Sequence, residues 1–437
     1  MTRKIRSATA VAIGLGLALA ATGCAGGSDG GSGGSGSSGG SSGGKVTVTV
    51  WENAQPGPGA VYWQTAAKAY NALHPNVTVK IQAVQNEDLD GKLQTALNSN
   101  SAPDIFLQRG GGKMQAEVNA GQLQALDLTD ADKTNASAAA LAGYSIDGKA
   151  YAMPLDTQPE GIYYSKDLFK QAGITATPTT MDELKAAIDK LKAIKVAPIA
   201  VGAKDAWPAA HWYYNFAVRE CSQDTMNNAA KSLKFDDACW TKAGDDLAAF
   251  LKVQPFQKGF LTTSSQQGAG SSAGMLANHK AGMELMGNWD PGVIGSLTKD
   301  QKPLPDLGWF PFPAVSGGQG DPSAIMGGLD GYSLSKKAPK EALAFLQWLV
   351  TKEQQEAYSK AFVTIPVNQQ AQEVVTDSFN QSALQAFNKA AYSVMFLDTE
   401  YGQNVGNAMN TAVVNLFAGK GTAADIAKAT NDAAAKG

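Results

Sequence analysis

Three histidines and three cysteines are all that the 437 residues contain, and that scarcity removes several kinds of chemistry at once. No pair among His74, His211 and His279 has metal-ligand spacing, neither His211 nor His279 has an obvious triad partner, and no histidine stands at ligand spacing from a cysteine. No metal is expected. Positive charge is also short: Lys and Arg number 36 against 39 acidic residues, for a net charge of −3, which offers nothing to nucleic acid or an anionic surface. Beyond the first 23 residues no apolar run is long enough to cross a bilayer. Cofactor and nucleophile motifs fail on context. The stretch "GGSSGGKV" (39–46) has Val46 where a P-loop needs Ser or Thr, and it precedes a strand; the G-x-S-x-G at 26–30 lies in a Gly/Ser tract; the G-x-G-x-x-A at 268–273 follows no strand. No cofactor is expected, and no internal repeat is present.

What is present begins with a basic and then apolar start. Arg3, Lys4 and Arg6 precede the apolar run from Ala8 to Ala21, so residues 1–23 read as an export signal peptide. Its end, Ala21-Thr22-Gly23-Cys24, resembles the lipobox of bacterial lipoproteins, in which the cysteine becomes the lipidated N-terminus. Residues 24–44 are then a lipidated Cys24 and a Gly/Ser linker with a reach of roughly 25 Å, which holds a folded domain off the outer face of the membrane. Loss of the three signal cations takes the net charge from −3 to about −6. In an exported, oxidising setting the two remaining thiols, Cys221 and Cys239, are expected to form a disulfide.

From Lys45 onward strands and helices alternate. "KVTVTVW" (45–51), "VTVKIQAV" (77–84) and "PDIFLQR" (103–109) read as strands separated by helices at 59–75 and 88–99, an order that implies a parallel sheet with helices on its faces. A second unit begins near Asp156. It includes a helix opened by the capping box Thr180-x-x-Glu183, a strand at 197–203, the aromatic helix 206–221 and a strand at 281–289. A strand at 331–336 and one long helix at 340–360 return to the first unit, and the chain from Tyr401 is helical. The fold class is therefore α/β with two lobes, 45–155 plus 331–393 and 156–330 plus 400–437, joined by several crossings near Asp156, Asp330 and Asp398.

In such sheets ligands bind beyond the carboxyl ends of the strands. The ends named above carry Trp51, Glu52 and Asn53; Gln108 and Arg109; Asp156; and Trp289 with Asp290, while Asp330 lies at the hinge. Indole rings beside carboxylates and amides suit a sugar, whose C–H face stacks on an aromatic ring while its hydroxyls take planar donors and acceptors. Trp289 is the strongest candidate for the stacking ring. Trp212, four residues from Phe216, fits either the ligand site or the core; one of Tyr163 and Tyr164 lines the cleft while the other packs; Asp290 before Pro291 reads as a helix cap; Asp330 beside glycines also fits a simple turn.

The stretch "YAMPLDTQPEGIYYSKDLFKQAGITATPTTMDELKAAIDKL", together with "PDIFLQ", "GMELMGNWDPG" and "KEALAFLQWLVTKEQQEAYSK", resembles family 1 of the extracellular solute-binding proteins of ABC importers, with Ser165 where asparagine is usual and Met181 where tryptophan is common. The resemblance implies a type II periplasmic-binding-protein-like fold that closes around a small oligosaccharide and presents it to the transmembrane subunits of an ABC permease. It implies a binding protein, acting as a monomer, rather than an enzyme. Among these proteins the chain looks most like actinobacterial binders of β-linked di- and oligosaccharides, with xylobiose the first expectation. A secreted glycoside hydrolase and a cell-surface carbohydrate adhesin are the alternatives.

Overall fold

The computed structural model describes residues 44–53, 57–99 and 101–436; the expected signal peptide, Cys24 and the linker as far as residue 43 lie outside them. Alternation of β-branched residues builds the first strand, Val46–Asn53, which buries Val48 and Val50 completely. It pairs in parallel with Val77–Val84 on one side and Ile105–Gln108 on the other, connected through the helices Pro58–Leu73 and Asn86–Asn98. That is the β-α-β-α-β unit read from the sequence. The sheet then changes direction. Ile325–Leu334 joins Ile105–Gln108 antiparallel, Ala152–Pro159 joins Ile325–Leu334 antiparallel, Ile365–Pro366 pairs beyond it, and Ser393–Val394 adds to the far end of Ile325–Leu334, giving seven strands.

A separate four-stranded sheet runs Leu307–Phe310, Gly161–Ser165, Ala281–Met286, Ala197–Ala200, with only the last pair parallel. Each sheet has its own core. Trp63, Tyr332 and Phe345 pack with Val50, Ile105 and Leu107 on the large sheet. Trp212, Phe250 and Met283 belong to the main core of the small one. Helix Met181–Ala193 opens as its capping box requires: Thr180 Oγ1 accepts from the Glu183 N–H, and the Glu183 carboxylate accepts from the Thr180 N–H.

The lobes exchange chain at different places from those expected. Ala152–Pro159 stays in the large sheet past Asp156, so the outward crossing falls at Glu160, the residue between Pro159 and Gly161. The return is already paired to the large sheet from Gly327 rather than from 331. Helix Ser378–Lys389, expected in the first lobe, turns Phe379 and Ala383, one helical turn apart, into the core formed by Leu307 and Trp309 of the small sheet. The expected single helix 340–360 is two, Lys340–Leu349 and Lys352–Phe362, because Val350 and Thr351 leave the helical path and Thr351 takes an extended conformation at the start of the second. The C-terminal helices Gln403–Phe417 and Ala423–Ala434 pack against the aromatic helix Trp207–Glu220 and against Ala238–Leu251. Those last two are stapled by the disulfide Cys221–Cys239, with Cα atoms 5.1 Å apart.

Candidate functional site

Between the two sheets a cleft of about 610 Å³ opens. Its large-sheet wall is polar throughout. Asn53 ends the first strand, Asn86 opens helix Asn86–Asn98, and Arg109 follows strand Ile105–Gln108; Arg109 Nη2 donates to Asn86 Oδ1 at 2.5 Å, and its Nη1 lies 3.7 Å from Asp330 Oδ1. Lys113 Nζ meets Asp90 Oδ2 at 2.7 Å. These bonds hold long side chains in one geometry with their remaining polar atoms available to a ligand.

The opposite wall carries the rings. The aromatic helix begins at Trp207 and Pro208, after Ala206 at φ +64°, a left-handed conformation that a residue with a Cβ rarely adopts. Both Ala206 and Trp207 face the cleft. One turn on, the His211 ring lies flat against Phe396, with centroids 4.7 Å apart and planes 11° apart. Trp289 meets Phe396, Trp207 and His211 edge-on at 5.7, 6.0 and 6.5 Å. Behind them Glu160, at the crossing, ties the group down: its Oε2 is 2.7 Å from His211 Nδ1 and its Oε1 accepts from Asn215 Nδ2 at 2.9 Å. Asp398 and Asn410, joined at 3.1 Å, complete this wall.

Of the residues expected at the site, Asn53, Arg109, Trp289 and Asp330 line this cleft. The others do not. Trp51 is half-buried between two hydrophobic clusters of the large-sheet lobe. Glu52 is on the opposite face of its strand from Trp51 and Asn53, buried, and burial pushes its carboxyl up to about 8. Gln108 is buried and turned away, donating to Glu117 Oε2 at 2.6 Å while its Oε1 accepts from the N–H of Arg109 and of Gly110. Tyr163 is fully buried and its hydroxyl accepts from Asn288 Nδ2. Trp212 is a core residue, stacked on Phe250 at 5.1 Å and bracketed by Phe256 and Phe312. Asp290, read as a cap, makes no capping bond; Trp289 occupies the cap position and Asp290 is buried in the first turn of helix Asp290–Leu297.

Asp156 serves the hinge rather than the cleft. It lies opposite Asp330 on the neighbouring strand, and its Oδ1 accepts from the Asp330 N–H, while its Oδ2 accepts from Gln158, Thr364 and Tyr358. Burial, with Asp330 beside it, pushes Asp156 up to about 8. Sequence reasoning missed Trp207, His211, Phe396 and, in the first turns of helix Asn86–Asn98, Asn86 and Asp90; the proline after Trp207, which marks a helix mouth, was the signal that pointed to the ring wall. Away from the cleft, Asp167, His279 and Asp306 bring three ligand atoms within 4.8 Å of one another. Asp306 in that cluster already accepts from Ser165 Oγ and from the Asp167 N–H.

Beneath Trp289, Glu284 and Asp290 form a buried acid pair. Burial pushes Asp290 up to about 8 and, with Asp290 beside it, holds Glu284 well above the usual range. At Asp290 the native state thus keeps a proton that the unfolded chain has released above about pH 4, so this contribution is complete in acid, declines from about pH 4 and is gone above about pH 8. Asp290→Asn, which cannot ionise, is expected to exceed the wild-type melting midpoint by a margin that widens from about pH 5 to about pH 8. Melting curves across that range check it; a constant difference between the two proteins would refute the buried-proton account.

Residues 53–356 match the family described as bacterial extracellular solute-binding protein. The chain belongs to this family. Its relatives include a putative binding protein of Brucella abortus (strain 2308), 25% identical over 404 residues that make up 90% of this chain and 92% of the relative, and the multiple sugar-binding protein of Streptococcus mutans, 29% identical over 224 residues, 49% and 50% of the two chains. Among solved structures, one from work on xylan utilization by the thermophilic bacterium Caldanaerobius polysaccharolyticus superimposes with a TM-score of 0.80 at 26% identity, covering 88% of this solute-binding protein and 99% of that chain. The two-lobed α/β fold is thus that of solute receptors.

Proposed function

We propose that this solute-binding protein captures a neutral oligosaccharide for an ABC importer. The observation that carries the reading is the division of the cleft: Trp207, His211, Trp289 and Phe396 offer ring faces and edges on one wall, and Asn53, Asn86 and Arg109 offer fixed hydrogen-bonding groups on the other. A pyranose has the matching two-sided chemistry, an apolar C–H face and a rim of hydroxyls. Because the two walls belong to different lobes, only a closed form lets the sugar touch both, and the sugar therefore drives closure. The closed form is the one a membrane permease would recognise. β-Linked xylo-oligosaccharides, xylobiose first, are the ligands to try, and the structural likeness to a protein from work on xylan utilization supports that choice.

A thermal-shift panel of mono-, di- and trisaccharides tests this reading, since a ligand of the native state raises the midpoint by mass action, about 2.7 kcal/mol at a hundredfold excess over Kd. Products of unchanged chain length are expected after incubation; shortened products would favour a hydrolase. Cys24, in its lipobox-like setting, is the proposed lipid anchor on the outer face of the membrane. Cys24→Ala is expected to move the protein from the membrane fraction to the medium, and retention of that variant in the membrane would refute the anchor.

A further inference from the structure

The cleft does not stop at the Lys113–Asp90 ion pair. Both residues, with Arg109 and Gln403, line the main cleft on one side and a second cavity of about 410 Å³ on the other. This side cavity lies between helices Asn86–Asn98 and Gly111–Asn119 of the large-sheet lobe and the start of helix Gln403–Phe417 of the other lobe. Its wall carries the hydrogen-bonding half of a sugar site: the planar groups of Gln94, Asn98, Gln108 and Glu117 stand beside the aliphatic Leu97 and Leu233. Gln108 already fixes Glu117 at 2.6 Å, and burial pushes that carboxyl up to about 7, so it has both a donor and an acceptor form to offer near neutral pH.

We propose that the side cavity receives the far end of an oligosaccharide whose first units occupy the main cleft, with the Lys113–Asp90 pair at the threshold between them. This rests on the sugar-receptor reading and narrows it: the preferred ligand is a chain longer than a disaccharide. A monosaccharide or disaccharide fills the ring-lined cleft alone, whereas each unit beyond the threshold adds hydrogen bonds that only a longer chain can make.

Calorimetric titration with xylobiose and xylohexaose, and with chitobiose and chitohexaose as a second backbone, decides the matter. For whichever backbone binds, the hexaose is expected to bind at least tenfold tighter than the biose. Ala116→Trp and Gln94→Trp, on two different helices at exposed positions that line only the side cavity, are each expected to bring that ratio near one while leaving biose affinity and apo-protein melting unchanged. Equal affinity for short and long chains in the wild type, or an undiminished ratio in both tryptophan variants, overturns the extension and leaves the receptor reading intact. Failure of every sugar to bind overturns the receptor reading and the extension with it.

Discussion

Trp289→Ala is expected to weaken oligosaccharide binding about thirtyfold and to leave the melting midpoint of the ligand-free protein nearly where it was. The indole is half-buried, stands where strand Ala281–Met286 gives way to helix Asp290–Leu297, and forms the edge-on member of the ring cluster with Trp207, His211 and Phe396. Stacking one sugar ring on it removes on the order of 70 Å² of apolar surface from water, about 2 kcal/mol at 25–30 cal/mol per Å², which is about thirtyfold in Kd. Calorimetric titration beside apo-protein melting separates the two roles such a ring can have. A variant that melts far lower yet binds normally would put Trp289 in the core and leave Trp207 as the stacking surface.

Trp212→Ala is expected to do the reverse. This indole has no exposed surface and is enclosed by Phe250, Phe256 and Phe312; its loss leaves a cavity that a core of interlocked rings cannot collapse to fill. The cost is about 3–5 kcal/mol, and binding measured well below the melting transition should stay within about twofold of wild type. Chemical denaturation with the same sugar titration checks both halves. A fall in affinity without a fall in stability would return Trp212 to the ligand site.

These two tryptophans show what the sequence disclosed and what it hid. Strand order in the first unit was readable because "KVTVTVW" and "VTVKIQAV" alternate and each face has one destination. The helix at 206–221 was equally readable, but the destination of its rings was not, because every residue from Pro208 to Glu220 is buried, and a helix enclosed on all sides has no apolar stripe to distinguish core from cleft. Strand ends were a good guide to place but a poor one to direction: Asn53 reaches the cleft while Glu52, one residue earlier, points the other way. Phe396 and Glu160 were illegible for a different reason. They come together with His211 only when three distant segments meet. The paired carboxyls Asp156 and Asp330 were each visible, yet their being opposite one another depends on an antiparallel register that no local pattern encodes.

The uneven division of the cleft also sets an order of events in time. Rings on one lobe would form the landing surface, because His211, Phe396 and Trp289 brace one another by their own contacts. A sugar that settles there first meets the polar wall only as the lobes come together. On the proposed reading, capture rate would belong to the ring-bearing lobe and residence time to Asn53, Asn86 and Arg109, so trimming the polar wall is expected to hasten departure while arrival proceeds at its former pace.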